Sequence, residues 1–233
     1  MKKGDMKRTQ ILDAAERLFL GRGYERTSVQ DVLDALGMSK GGFYHYFESK
    51  ESVLRAVSER RTAARVERAL SDVRDGRRSP LERLNLLLVQ ASLFETEEPG
   101  FAGTLMRLAC VERDYSRTAQ RRRTLIDLLL PSLDEVLEAG IADGSFFMRR
   151  PAEAGRLLLL LALDADDEVC ALLAGDPENP DRLIPAIELL NACREAAELL
   201  VGAPHGALEL KDVGRLVANC RAAAAAMQAR EGA

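Results

Sequence analysis

Apolar residues recur along this chain at intervals of three and four, the spacing of one helix face. No stretch shows the sustained alternation with β-branched residues that marks a strand. The pattern predicts an all-α protein. Ile11, Ala15, Leu18 and Phe19 form the first stripe, on a helix over 7–20 that stops at Gly21 or Gly23. Val29, Val32, Leu33 and Leu36 form a second, short stripe, with Gln30, Asp31 and Asp34 facing outwards. Gly37 ends it, because glycine accepts the positive φ that lets the chain leave one helix and start the next at a steep angle. Ser39 is suited to cap a third helix on which Phe43 and Phe47 pack inwards, leaving Lys40, Gly41, Gly42, Tyr44 and His45 outside. Two short helices joined through one glycine, over about 28–47, form a helix-turn-helix. The basic, hydroxyl-bearing N-terminal surface of the second suits phosphates and major-groove edges.

A fourth helix is predicted from the cap Ser49 to Arg74. Its early residues Val53, Leu54 and Val57 pack on the helix-turn-helix; Val66, Ala69, Leu70 and Val73 belong to a second domain, and the charged stretch 59–68 between them is more solvated. The same helix therefore serves a small domain over 1–55, which carries the helix-turn-helix, and a larger helical domain over 56–233. Pro80, Pro99, Pro151 and Pro180 stand near the starts of further helices, predicted over 81–94, 101–111, 117–139, 152–174, 181–201 and 208–228. Pro131 removes a hydrogen bond to the carbonyl of Asp127 and is expected to kink its helix. The stretches 152–174 and 181–201 are apolar over more than one face, so a second face must be covered.

The 233 residues, 47% hydrophobic and 30% charged, suffice for a small and a larger domain. A net charge of -4 argues against a nucleic-acid partner until it is resolved along the chain. Residues 1–60 carry 11 Lys and Arg against 9 Asp and Glu, or +2; the remainder carries 22 against 28, or -6. A basic end on an acidic body approaches DNA in one orientation, and the balance excludes a non-specific packaging protein. The longest apolar run, 157–163, falls far short of the ~20 residues of a membrane span, and the first residues carry no apolar leader. The expectation is a cytoplasmic protein without a membrane partner. Cys110, Cys170, Cys193 and Cys220 lie far apart with no ligand doublet, and His45 and His205 add no cluster, so neither a metal nor a cofactor is expected. Cys110 reads as a core thiol or a redox sensor. No nucleophile and acid–base set stands at usable spacing, which speaks against an all-α enzyme.

The motifs Ile11-Leu12-Asp13-Ala14-Ala15 with Leu18-Phe19, Gly21-x-Gly23-Tyr24, Thr27-Ser28-Val29, Ser39-Lys40-Gly41-Gly42-Phe43-Tyr44-His45-Tyr46-Phe47 and Ser49-Lys50-Glu51 occur in this order. Together they resemble the TetR (tetracycline-repressor-like) family of transcriptional regulators over roughly the first quarter of the chain. Two positions depart from the family pattern. Leu33 stands where a small residue is usual, and Gly42 where Ser, Thr or Ala is commoner; adjacent glycines weaken a helix by about 1 kcal/mol each relative to alanine.

The resemblance implies a ligand-responsive repressor that binds a palindromic operator in double-stranded DNA as a homodimer. A ligand-independent regulator or an activator of the same fold stays open. It implies that Thr27 and Ser28 hold phosphates, that Lys40, Gly41, Tyr44 and His45 contact backbone or base edges with Gly42 beside them, and that Lys50 clamps a phosphate. Val29 is either a contact or core, and Tyr46 reads as core. Lys2, Lys3, Lys7 and Arg8 form either a minor-groove arm or a frayed terminus. The stretches 152–174 and 181–201 are implied to form a four-helix dimer interface, against a monomer in which they are central. Phe94, Phe101, Leu105, Met106, Cys110 and Tyr115 would line an effector pocket or serve as ordinary helical core. The run 121–123, all arginine, would meet an acidic effector or lie solvated.

Overall fold

The computed structural model describes residues 3–74, 77–90, 115–173 and 179–209, with Gly214, Val217, Ala218 and Arg221. Among them there is no strand. The helices are α1 (Lys3–Arg22), α2 (Val29–Leu36), α3 (Lys40–Tyr44), α4 (Lys50–Arg74), α5 (Pro80–Gln90), α6 (Tyr115–Asp143), α7 (Pro151–Leu173) and α8 (Pro180–Val201).

Two cores arise from the stripes. In the N-terminal head, Ile11, Ala15 and Phe19 of α1 meet Val32 and Leu33 of α2, Phe43 of α3, and Val53, Leu54 and Val57 of α4, all buried. Leu33 is accommodated in this core at 2% exposure despite its size. In the body, Val66 and Val73 of α4 join Leu84, Leu87 and Leu88 of α5, Leu129, Leu133 and Leu137 of α6, and Leu158, Leu159 and Leu163 of α7. A smaller cluster of Val169, Cys170 and Leu173 with Ala186 and Leu190 closes the far end of α7 on α8. Helix α4 thus changes cores between Val57 and Val66 and runs unbroken through both.

Some expectations are corrected. Helix α1 begins at Lys3, so Lys7 and Arg8 are helical and not part of an arm. The Arg8 guanidinium lies over the Phe47 ring, 5.1 Å from its centroid, where cation and aromatic face attract. Helix α3 is shorter than the spacing of its aromatics suggests. It ends at Tyr44, although the Phe47 N–H still donates to the Phe43 carbonyl at 3.0 Å, which keeps Phe47 buried in the head. Pro131 falls inside its helix, α6, where the sequence places it, and is exposed with helix on both sides; Pro185 stands likewise inside α8. Arg122 is not presented to a ligand. Its guanidinium bonds Asp167 at 2.6 Å and Asp164 at 2.9 Å, both on α7, and so staples α6 to α7.

Candidate nucleic-acid interface

The interface is built by caps. Ser28 opens α2 with a reciprocal capping box: its Oγ accepts the Asp31 N–H at 3.1 Å, and the Asp31 carboxylate accepts the Ser28 N–H at 2.8 Å. The Ser28 hydroxyl, which donates to Asp31 Oδ2 at 2.6 Å, and the Ser28 N–H, with Arg22 3.2 Å away, hold the Asp31 carboxyl below its usual range. At the other end Gly37 adopts φ 57°, a left-handed cap, and the Met38 N–H returns to the Leu33 carbonyl at 3.0 Å. Ser39 then caps α3, its Oγ accepting the Gly42 N–H at 3.3 Å.

Rotation about this short helix decides what faces out. Phe43 is buried and meets Tyr44 and Phe47 at ring-centroid distances of 5.4 and 6.2 Å. Lys40, Gly41, Tyr44 and His45 are exposed, and Ser28 is exposed at the start of α2. Gly42 is half-buried, with the Met38 side chain 3.2 Å from where a Cβ would stand. Val29 is half-buried and packs on the head core, as does Tyr46. The structure therefore brings Ser28, Lys40, Gly41, Tyr44 and His45 to the outside of the helix-turn-helix.

Thr27 is a correction. It is 1% exposed, and its hydroxyl donates inwards to the carbonyls of Gly23 (2.9 Å) and Leu18 (3.3 Å). A hydroxyl spent on closing the α1–α2 turn has no side chain to offer a phosphate. Lys50 is half-buried at the start of α4. Its ammonium donates to the Tyr24 carbonyl at 3.1 Å and lies 4.1 Å from the centroid of the Tyr24 ring, while the Tyr24 hydroxyl donates to Glu51 Oε1 at 3.1 Å. Sequence reasoning passed over Tyr24 and Glu51 as parts of this site. The pairs stand 26 and 27 residues apart, and only the fold reveals them.

Phe94, Phe101, Leu105, Met106 and Cys110 lie outside the described residues; Tyr115 begins α6, but its side chain is not among those described. Cys170 and Cys193 are buried. Among the described residues no group of His, Cys, Asp and Glu could hold a metal ion, and no helix is long and apolar enough to cross a membrane. Leu157 and Leu160 on α7 and Ile184 and Leu199 on α8 are exposed, Leu199 at 83%.

A capped α2, a left-handed glycine and a capped α3 on a shared aromatic core define a helix-turn-helix regulator. The family described as "Bacterial regulatory proteins, tetR family" matches residues 11–57. The HTH-type transcriptional repressor KstR2 of Mycobacterium tuberculosis (strain ATCC 25618 / H37Rv) is 31% identical over 142 residues, covering 55% of this chain and 68% of that one. An uncharacterized HTH-type transcriptional regulator of Bacillus subtilis (strain 168), YfiR, is 28% identical over 149 residues, 61% of this chain and 69% of that one. The crystal structure of a TetR-family transcriptional regulator from Pectobacterium atrosepticum superposes with a TM-score of 0.58 at 20% identity, over 87% of this chain and 97% of that one, and so shares the fold. The chain belongs to the TetR family and is a DNA-binding transcriptional regulator resembling its repressors.

Proposed function

We propose that this protein is a repressor that binds a palindromic operator as a homodimer and releases it when a small apolar or amphipathic effector occupies the body. The observation that carries the reading is the outward set on the capped helix-turn-helix: Ser28, Lys40, Gly41, Tyr44 and His45, with Gly42 beneath Met38 and Lys50 at the foot of α4. Ser28 and Lys50 hold phosphates, Lys40 and His45 reach base edges or phosphates, and Tyr44 contacts the sugar–phosphate backbone. Gly41 lets the DNA backbone come close. Val29 and Thr27 support the turn from within.

A dimer is favoured by the exposed leucines and isoleucine of α7 and α8, helices that already pack on each other and still present a second apolar face. Two heads on a two-fold axis read half-sites about 34 Å apart or a near multiple. The division falls at about residue 55, with 1–55 as the reading head and 56–233 as the effector-binding and dimerising body. An effector that prefers one arrangement of the body tilts α4 and changes the separation of the heads; coupling of about 1–3 kcal/mol shifts operator affinity roughly 5- to 150-fold.

The test is footprinting on DNA flanking the gene, followed by titration. A palindromic footprint is expected, with affinity falling steeply as salt rises. Lys40→Ala should reduce the salt slope by about 1, and Leu199→Glu combined with Leu157→Glu should yield a sedimenting monomer with weaker operator binding. A wild-type chain that sediments as a monomer and binds no flanking fragment would overturn the reading.

A further inference from the structure

The buried stripe of α1, Ile11, Leu12, Ala15 and Phe19, is continued one turn towards the N-terminus by an exposed arginine, Arg8, three and four residues before its first members. A cation thus stands where the rim of the head core meets solvent. Its guanidinium lies over the ring of Phe47, with Cζ 5.1 Å from the centroid, and Phe47 itself is 5% exposed. That ring is held by Phe43, 6.2 Å away between centroids, and by the bond from the Phe47 N–H to the Phe43 carbonyl at 3.0 Å. Phe47 stands between two groups of the outward set: Tyr44 and His45 close α3 just before it, and Lys50 opens α4 three residues after it. Among the described residues no carboxylate pairs with the Arg8 guanidinium. Arg8 also precedes residues 11–57, over which the TetR family matches.

We propose that Arg8 is a further phosphate contact: the Phe47 ring holds its guanidinium on the rim of the head, and the guanidinium binds the DNA backbone beside the recognition helix. The inference rests on the reading of Tyr44, His45 and Lys50 as DNA contacts, because they set the side of the head on which Phe47 lies. An aromatic ring attracts a guanidinium without accepting its N–H groups in the way a carboxylate does, so the planar fork keeps donors for a phosphate, and no ion pair has to break. A side chain already held over a ring also loses less entropy when DNA arrives. The contact is made from a helix that is part of the head core, not from an arm in the minor groove.

Phosphate contacts are independent of sequence, so a labelled random-sequence duplex, titrated at several salt concentrations, is a sufficient probe for the full-length chain. Arg8→Met keeps an apolar stem against Phe47 and removes the charge. For each chain bound it should lower the slope of log affinity against log salt by about 0.9 and weaken binding about five- to tenfold near 0.1 M salt. Arg8→Lys should keep the slope and recover part of the affinity. Arg17→Met is the control for net charge, since Arg17 is exposed on the same helix and, nine residues on, faces about half a turn away; it should change the slope far less. A merely structural role for Arg8 would lower the Tm of Arg8→Met and leave its salt slope untouched. The proposal is overturned if that slope is unchanged, if Arg8→Lys loses the slope as well, or if Arg17→Met weakens binding as much as Arg8→Met. Lys40→Ala on the same duplex reports separately whether the helix-turn-helix engages DNA: a loss there without one at Arg8 removes this contact alone, whereas no loss at either removes the reading on which it rests.

Discussion

The guanidinium of Arg60 on α4 bridges Asp13, at 2.7 Å, and Glu16, both on α1, and Arg61 takes the second oxygen of Glu16 at 2.9 Å. Helix α1 is thereby bound to α4 beyond the last head-core residue of α4, Val57. The head is thus tied to α4 at two places, through its apolar core and through this cluster of ion pairs. Arg60→Met keeps the stem and removes the charge. Exposed ion pairs contribute about 0.2–1 kcal/mol each, so a loss of roughly 1 kcal/mol is expected for the pairs together. Hydrogen exchange read by mass spectrometry should rise in α1 and remain unchanged in α6 and α7. Unaltered protection of α1 would mean that core packing alone couples it to α4.

The recognition surface contains two glycines with different surroundings. A Cβ at Gly41 would meet nothing within 4 Å, whereas at Gly42 it would lie 3.2 Å from Met38 Cγ and 3.4 Å from Ser39 Oγ. Replacing a helical glycine by alanine is worth about 0.5–1 kcal/mol. Gly41→Ala should therefore raise the Tm, and Gly42→Ala should raise it less, because Met38 must shift. If DNA approaches the backbone at Gly41, Gly41→Ala will be more stable and yet bind operator more weakly. Wild-type affinity in the stabilised variant would show that DNA keeps its distance there.

The helix-turn-helix was legible because its signals are local. Gly37 and Ser39 specify helix ends by their own chemistry, and the structure uses each at the end the sequence assigns. The misreadings share a different origin. Thr27 looks like a phosphate ligand beside a helix start, but carbonyls of α1 and of the turn after it take its hydroxyl inwards. The charged stretch 59–68 is mostly exposed or half-buried as its charge implies, but that charge does not tell that Arg60 and Arg61 find carboxylates 44 to 47 residues away. Arg122 likewise finds Asp167 at a separation of 45. A periodic pattern states which face is apolar; it does not state which charge on the polar face meets another element.

At the C-terminal end of α8, Gly202 caps the helix with φ 67°, and a Cβ there would stand 2.3 Å from the Phe147 carbonyl oxygen. The Phe147 N–H donates to the Val201 carbonyl at 2.8 Å, so the loop after α6 is laid directly on this cap. Gly144 offers a control, since its φ is 84° and nothing lies within 4 Å of a Cβ. Gly144→Ala should cost about 1–2 kcal/mol, the penalty of left-handed backbone alone. Gly202→Ala adds a clash with backbone and should cost about 1–3 kcal/mol more. Denaturant midpoints compared at constant m give the difference; equal losses would show that the loop yields without cost.

Glu198 holds the turn after α8. It is 3% exposed, its Oε1 accepts the Leu208 N–H at 3.1 Å, and His205 Nδ1 lies 3.4 Å from Oε2. Burial pushes its carboxyl up, but the N–H groups of Leu208 and Gly206, with the charges of Arg194 and His205, outweigh burial and leave it below the ordinary value of 4.5. A carboxyl lowered by folding contributes stability that is fully present above its unfolded value and lost as pH falls through its folded one. Glu198→Gln keeps the shape and an acceptor while removing the charge, so it should cost about 1–2 kcal/mol near neutral pH. That gap should hold down to the ordinary carboxyl range and close at lower pH as the wild-type group takes up its proton. Urea unfolding of both chains from about pH 7 to about pH 3 measures it. A gap that stays constant across the range would mean that ionisation of Glu198 is not what holds the turn.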